Sequence, residues 1–114
     1  MSGDNCIFCK IVRGEIPSNK VHEDEELLAF HDIRPIARVH FLVIPKRHVE
    51  SLAHFEAEDS GLIGRMLLLG ARLAPQQGLG DGFRTMINTG KGGGQEVFHV
   101  HAHIFGGGEA LPKA

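Results

Sequence analysis

Five short segments of the chain carry the apolar, β-branched and aromatic residues that favour strands. They are "IPSNKVHEDEE", which runs into an acidic turn, and then "LLAFHDI", "VHFLVIP", "FRTMIN" and "VFHVHAHIF". The second and third segments are closed by Pro35 and Pro45, which cannot continue a sheet ladder. In the last segment polar and apolar residues alternate, as in a strand with one buried face. We therefore predict an antiparallel sheet of about five strands.

Between the third and fourth segments the spacing of apolar residues becomes helical. The pattern covers residues 56–77, with Asp59 or Ser60 as the start signal. Its apolar positions are Leu62, Ile63, Met66, Leu67, Leu69 and Leu73. A shorter helix is predicted in "DNCIFCKIVRG", with Asp4 as the N-cap and Gly14 at its end. The predicted class is α+β, with one long helix packed across the sheet and a short N-terminal helix.

The composition limits the class of protein. The 114 residues fit one domain, residues 1–114, and 42% of them are hydrophobic, which is enough for a compact core. The net charge is −2, so no broad basic face for nucleic acid is expected. No apolar run approaches the roughly 18 residues of a membrane helix, and the N-terminus lacks the pattern of a signal peptide. We expect a cytoplasmic protein with reduced thiols and with no nucleic-acid or membrane partner.

Three of the eight histidines fall in the segment "HVHAHIF". As a strand, it would align His99, His101 and His103 on one face, roughly 6.5 Å apart along the chain. The preceding loop, "GKGGGQEVF", is rich in glycine, which lets main-chain amides approach an anion closely. Amides beside nucleophilic imidazoles indicate a phosphate ligand, and the alternatives are a metal or an accident of composition.

These residues resemble the signature of the histidine triad superfamily of nucleotide hydrolases and transferases. "AFHDIRPIARVHFLVIPKRHV" and "MINTGKGGGQEVFHVHAHIFGGG" are similar to the two signature blocks of its nucleotide-binding protein branch. The similarity extends from Cys6 to Gly108. It implies a purine nucleoside phosphoramidase that cleaves the bond to the α-phosphate of a purine nucleotide through a nucleotidyl-histidine. The product would be AMP or GMP.

The resemblance assigns roles at the reaction centre. His101 corresponds to the nucleophile, and a neutral imidazole is chemically suited to that role near neutral pH. His103 would lie near the phosphate and the leaving group, and His40 would belong to the same polar cluster. Amides and a protonated imidazole can balance the phosphoryl charge, so no catalytic metal is expected. Further contacts to the phosphate would come from Asn88, Gln95 and the backbone of Gly94.

Other matched positions would hold the nucleoside. Asp32 resembles the carboxylate that binds the ribose hydroxyls, although it can alternatively accept backbone hydrogen bonds in the turn before Pro35. Asn88 can alternatively cap a strand end. Glu96 stands where some relatives have a serine that bonds the leaving group, and a carboxylate there repels a phosphate unless it is protonated or turned away. The apolar slot for the base would be formed by Ile33, Phe8, Phe30, Ile11 and Leu42.

The two cysteines suggest a second site. "CIFC" places Cys6 and Cys9 at a spacing that often supplies half of a tetrahedral zinc site, while a redox pair and plain buried cysteines remain alternatives. In zinc-bearing members of the superfamily, including the galactose-1-phosphate uridylyltransferases, two histidines complete such a site. The matching positions are His48 and His99. The resemblance thus implies structural zinc, because four protein ligands leave no open position for water.

Two other functions compete with the phosphoramidase. One is the hydrolysis of dinucleoside polyphosphates, and the other is a nucleotide-binding regulatory module with little turnover. Gly106 to Gly108 favour the phosphoramidase branch, because the dinucleoside branch follows its triad with a segment of Pro-Arg type. The family pattern is a homodimer, and the tail "GGGEALPKA" is shorter than in some branch members. The physiological leaving group and the choice between adenine and guanine stay open.

Overall fold

The computed structural model describes residues 5–112 of the chain. Within them, one antiparallel sheet has the strand order β1-β2-β3-β5-β4. Its strands are β1 (Lys20–Glu23), β2 (Leu27–His31), β3 (Val39–Pro45), β4 (Arg84–Met86) and β5 (Ala102–Gly106). The helices are α1 (Ile7–Val12) and α2 (Ser60–Gln76), with 3-10 turns at Leu52–His54, Ala57–Asp59 and Lys91–Gly93. The predicted α+β class and five-stranded sheet are confirmed.

The long helix covers one face of the sheet. Alternate residues of the strands point toward it, and the resulting core contains Leu27, Ala29, Phe41, Val43, Ala102 and Ile104 from the sheet with Leu62, Met66, Leu69 and Leu73 from α2. The helix approaches the sheet closely at Gly70, where an added Cβ would lie 2.6 Å from Cδ1 of Ile104. Glycine at this position therefore sets the distance between α2 and β5.

The other face of the sheet is covered in part by α1. Phe8 and Ile11 of this helix pack on a second apolar cluster that includes Leu28, Phe30, Leu42 and Ile44. Residues directly opposite each other in neighbouring strands share a face, and Leu42 pairs with His103 while His40 pairs with Phe105. The histidines of β3 and β5 therefore lie on the α1 side of the sheet.

The predicted N-cap of the short helix, Asp4, lies outside the described residues. Within them, Cys6 is the N-cap of α1, and its Sγ accepts a hydrogen bond from the amide of Cys9 at 3.2 Å. The chain leaves the helix through Gly14, whose positive φ of 80° suits a residue without Cβ. The first cysteine thus takes the place that the sequence assigned to an aspartate.

The prediction of one continuous strand over "VFHVHAHIF" was wrong for its first half. The strand β5 begins at Ala102, opposite Val43, and β3 ends at Pro45. The segment before β5 is held instead by one bond from the amide of Val100 to the carbonyl of Val49 at 2.7 Å. In this segment His99 is as fully buried as Val100, and its ring lies 5.9 Å from that of Phe8 in α1.

No helix among residues 5–112 combines the length and the hydrophobicity needed to cross a membrane.

Candidate active site

The side chain of His101 lies under α1. Its ring meets the ring of Phe8 edge to face, with centroids 5.1 Å apart, and the same phenyl ring lies 5.9 Å from His99. On its other side, His101 is 4.9 Å from the ring of His103. Three histidines predicted to form a row are therefore brought together, but each has different partners.

The hydrogen bonds of His101 fix its tautomer. Nδ1 of His101 donates to the carbonyl oxygen of His99 at 2.8 Å, because a carbonyl can only accept. A neutral imidazole has one N–H, so Nε2 carries a free lone pair. Nε2 has no hydrogen-bond partner among the described residues and is not one of their buried unpaired atoms, so it reaches open space. Burial lowers the pKa of His101 and favours this neutral form.

His103 and His40 form a hydrogen-bonded pair. Nε2 of His40 lies 2.9 Å from Nδ1 of His103, and the backbone amide of Ile36 donates to Nδ1 of His40 at 3.2 Å. Since that amide can only donate, Nδ1 of His40 is an acceptor and its proton is on Nε2. Nδ1 of His103 then accepts, and the proton of His103 is on Nε2. Sequence reasoning missed Ile36, because a main-chain amide leaves no signal in the residue type.

Charged and titratable groups around this pair act in opposite directions. Burial is the main cause that lowers the pKa of His103 to about 4, and the charges of His101 and His40 act in the same direction. Burial also lowers the pKa of His40. The carboxylate of Asp32 opposes both shifts, and its Oδ2 lies 3.4 Å from Nε2 of His40. Both imidazoles are therefore neutral near pH 7.

Asp32 occupies the turn that follows β2. Its Oδ1 accepts a hydrogen bond from the amide of Arg34 at 2.8 Å, which is the backbone role considered as an alternative for this residue. Its other oxygen, Oδ2, lies 3.4 Å from Nε2 of His40, and the Asp32 side chain is partly exposed. The neighbouring Ile33 is 92% exposed and lies outside the apolar cluster formed by the other predicted slot residues, Phe8, Ile11, Phe30 and Leu42.

The glycine-rich loop is held together by Gln95. Its Oε1 accepts from the amide of Gly90 at 2.8 Å, and its Nε2 donates to the carbonyls of Glu50 and Val97 at 2.6 and 2.9 Å. Both hydrogens of the amide are used, so in this arrangement Gln95 positions the loop and has no N–H left for a phosphate. Gly94 has a positive φ of 85°, and the half-buried Asn88 lies between β4 and the loop.

Glu96 points away from this hydrogen-bond network. Its exposed side chain lines a cavity of about 360 Å³ together with Glu50, Cys6, His48 and neighbouring residues of α1 and the 96–98 segment. Its charge raises the pKa of His101, which opposes the effect of burial. A larger cavity of about 730 Å³, between Arg38, Arg84 and the segment 106–111, contains none of the histidines.

Four possible metal ligands converge next to His101, and they are Cys6, Cys9, His48 and His99. Nδ1 of His99 lies 3.3 and 3.4 Å from the two sulfurs, and Nδ1 of His48 lies 3.3 Å from Cys9 Sγ. A zinc ion with two sulfur and two nitrogen ligands has sulfur–nitrogen edges of about 3.6 Å. Nε2 of His99 donates to the carbonyl of Pro45 at 2.7 Å, so Nδ1 presents its lone pair to the centre. The donor set fits a tetrahedral metal.

The protonation of these ligands depends on a metal. Burial, followed by the hydrogen bond and charge of Cys6, raises the pKa of Cys9 to about 11, while Arg13 lowers it. Burial lowers the pKa of His99 to about 4, so this imidazole is neutral, as a metal ligand must be. Without a metal the Cys9 thiol stays protonated, and binding a cation would release that proton.

A second group of donors does not fit a metal. Single donor atoms of Asp32, His40 and His103 also lie within 4.8 Å of one another. The amide of Ile36, however, keeps the proton of His40 on Nε2, which is the nitrogen that would have to bind the ion. This group is a hydrogen-bonded chain.

Comparison with known proteins agrees with the geometry. A family model described as "Scavenger mRNA decapping enzyme C-term binding" matches residues 5–111. A histidine triad protein from Clostridium difficile has 43% identity and a TM-score of 0.92, over 100% of this chain and 99% of that one. The chain belongs to the histidine triad superfamily. Its relatives include Protein HitA of Neisseria gonorrhoeae, which is 57% identical over 103 residues, 90% of this chain and 96% of that protein.

A solved histidine triad structure also carries a functional description. The HIT family hydrolase from Legionella pneumophila is 46% identical and has a TM-score of 0.89, covering 92% of this chain and 95% of that one. The membership predicted from the two sequence blocks is confirmed, and so is the fold that it implies.

Proposed function

We propose that this histidine triad protein is a nucleotide hydrolase, specifically a purine nucleoside phosphoramidase of the nucleotide-binding protein branch. The observation that carries the proposal is the state of His101. Its Nδ1–H is committed to the carbonyl of His99, its Nε2 has no hydrogen-bond partner among the described residues, and its ring lies 4.9 Å from that of His103. A neutral, oriented and accessible imidazole is what nucleophilic attack on phosphorus requires.

The reaction would proceed in two displacements. The lone pair on Nε2 of His101 forms a bond to the α-phosphorus, and the bond from phosphorus to the leaving amine breaks. The positive charge that develops on the imidazole is stabilised by the bond from Nδ1–H to the His99 carbonyl. Water then attacks the same phosphorus, releases the nucleoside monophosphate and returns the lone pair to Nε2.

The proposed nucleoside site lies between α1 and the turn after β2. The partly exposed carboxylate of Asp32 would accept bonds from the ribose hydroxyls. The base would pack on the apolar cluster of Phe8, Ile11, Phe30 and Leu42, with the exposed Ile33 free to contact its other side. Apolar and aromatic side chains suit a planar purine base, so AMP, GMP and their derivatives are the expected ligands.

We also propose that Cys6, Cys9, His48 and His99 bind one structural zinc ion, in keeping with the donor distances above. Zinc there would join α1 to the segment that precedes β5, and so fix the helix over His101. Reduced thiols at this site agree with the expected cytoplasmic location. The exposed Leu67 and Leu68 of α2 support the homodimer that is typical of the family.

The deciding experiment follows AMP release from adenosine 5′-phosphoramidate by the wild type and by His101→Ala. We expect the variant to lose turnover while still binding AMP, and the wild type to yield a trapped nucleotide on His101 after acid quench. His22→Ala is the control, since the His22 side chain bonds the exposed Asp24 and lies outside the proposed site. Equal slow release by the wild type and His101→Ala would identify a binding module instead. Faster cleavage of diadenosine polyphosphates than of the phosphoramidate would favour the dinucleoside hydrolase.

A further inference from the structure

The turn between β2 and β3 controls where the protons of two histidines lie. The amide of Ile36 donates to Nδ1 of His40, and this single bond determines that His40 carries its proton on Nε2. That proton points at Nδ1 of His103, 2.9 Å away, with Oδ2 of Asp32 at 3.4 Å as a weaker second acceptor. The order of donors runs from the main chain through His40 to His103.

This order opposes a second proton on His103. A proton on Nδ1 of His103 would face the N–H of His40 across 2.9 Å, so two donors would meet with no acceptor between them. His40 cannot relieve the conflict by moving its own proton to Nδ1, because the Ile36 amide already points there. A cationic His103 would therefore need the pair to separate, and the buried ring of His40 has little room for that.

The groups that face the pair act on both sides of this balance. His103 is faced by His40 and His101, and His40 by Asp32 and the apolar ring of Phe105 at 5.4 Å. Asp32 is the one charged group among these neighbours, and its Oδ2 lies 3.4 Å from the nitrogen that carries the His40 proton. Burial outweighs its charge and keeps the pKa of His103 low.

We propose that His103 acts as a neutral hydrogen-bond donor to the phosphoryl group, held in that state by His40 and the Ile36 amide, and that it is not the acid that protonates the leaving group. This inference rests on the proposed function. In this scheme the proton on Nε2 of His103 is not transferred, and its hydrogen bond stabilises the negative charge on a phosphoryl oxygen. His40 is a positioning residue, since it acts on the substrate only through His103.

The proton balance then involves water. When the bond from phosphorus to the amine breaks, its electron pair stays on the amine nitrogen, which takes its proton from solvent water in the cleft. In the second displacement the attacking water gives its proton to solvent, and the bond from phosphorus to His101 breaks. The sum is one water consumed, one amine and one nucleoside monophosphate released, and no change at His103.

Nitrogen NMR tests the protonation state without turnover. Long-range proton–nitrogen correlation on histidine-labelled protein distinguishes Nε2–H, Nδ1–H and doubly protonated rings. We expect His103 of the wild type to show Nε2–H alone near neutral pH. His40→Gln keeps a donor at the same place and should preserve that pattern, whereas the similarly sized His40→Leu should give mixed tautomers. A doubly protonated or Nδ1–H His103 in the wild type would overturn the proposal, whether or not either variant folds.

Leaving-group dependence gives the second test. We would measure the first turnover on two adenosine 5′-phosphates, one with an alkylamine that must be protonated to depart and one with p-nitrophenolate, which departs as an anion. His103→Ala should slow both substrates by factors that agree within about tenfold, because the lost contact is to the phosphoryl group. A general acid contributes about 10²–10⁴-fold to the rate, and only for a leaving group that must be protonated. If His103→Ala therefore slows the amine substrate at least tenfold more than the p-nitrophenyl substrate, the proposal is refuted.

A matched variant separates donation from acidity. His103→Gln places an amide N–H near the position of Nε2 and cannot supply a proton, so it should be faster than His103→Ala on both substrates. No gain over His103→Ala would contradict the donor role. If the wild type cleaves neither substrate, the proposed function fails, and the NMR result still decides the state of His103.

Discussion

Replacing Gly70 with alanine would place a methyl group 2.6 Å from Cδ1 of Ile104, at the closest approach of α2 to the sheet. Overpacking of this kind costs about 1–3 kcal/mol, while alanine in place of glycine stabilises a helix interior by about 1 kcal/mol. The net change expected for Gly70→Ala is therefore a loss of about 0–2 kcal/mol of unfolding free energy. Gly64 offers the matched control, since it lies in the same helix and its Cβ would meet nothing within 4 Å.

The assay is urea unfolding of both variants, followed by far-UV circular dichroism. Gly64→Ala should gain about 1 kcal/mol, so the two variants should differ by about 1–3 kcal/mol, which is the overpacking term alone. Combining Gly70→Ala with Ile104→Val, which removes Cδ1, should recover most of that difference. If Gly70→Ala is as stable as Gly64→Ala, the close packing of α2 on β5 inferred above is wrong.

Three further predictions follow from the other parts of the structure. If the proposed zinc ion is bound, its removal by a chelator should lower Tm and reduce the unfolding free energy by about 4 kcal/mol relative to protein in free zinc at about a thousand times Kd, and Cys9→Ser should show no such response. Gln95→Leu should lower the unfolding free energy by about 1–3 kcal/mol, because the backbone groups of Gly90, Glu50 and Val97 lose their partner. Gln76 is exposed, and Gln76→Leu should change the unfolding free energy by less than about 0.5 kcal/mol. Equal effects of the two substitutions would show that Gln95 does not stabilise the loop. The pKa of His103 is about 4, against an ordinary value of 6.5, so the unfolded chain takes up a proton at a higher pH than the folded protein does. The stability contributed by neutral His103 is therefore complete above pH 6.5 and is lost as pH falls toward 4. A His103→Leu variant should show a flatter pH dependence of the unfolding free energy over that window.

The fold was predictable where side chains repeat with a regular period. The apolar runs predict β2 and β3, and the helical spacing of apolar residues predicts α2, because burying one face of a strand or one stripe of a helix produces those patterns. The start of β5 was less predictable. His99 and His101 alternate with apolar residues as a strand would, yet no strand within residues 5–112 pairs with them, because pairing depends on the partner and not on the segment itself.

The residues that converge at the candidate site were predictable from the sequence, whereas their hydrogen bonds were less so. The convergence of Cys6, Cys9, His48 and His99 follows from a family pattern, and the structure brings their donor atoms together. Main-chain groups decide much of the rest: the Ile36 amide orients His40, and the carbonyl of His99 orients His101. Such groups are present at nearly every position, so only the folded path of the chain shows which of them matter.

The alternation of side chains in β3 and β5 has a consequence for how this molecule can vary. Phe41, Val43 and Ile104 fill space against α2, so substitutions there are limited by volume and shape. Their immediate neighbours His40, Leu42 and His103 lie on the face of the proposed active site, where proton position and ligand fit would limit substitution. Adjacent codons in these strands are therefore under different constraints, and the kind of substitution that is tolerated should alternate with a period of two residues.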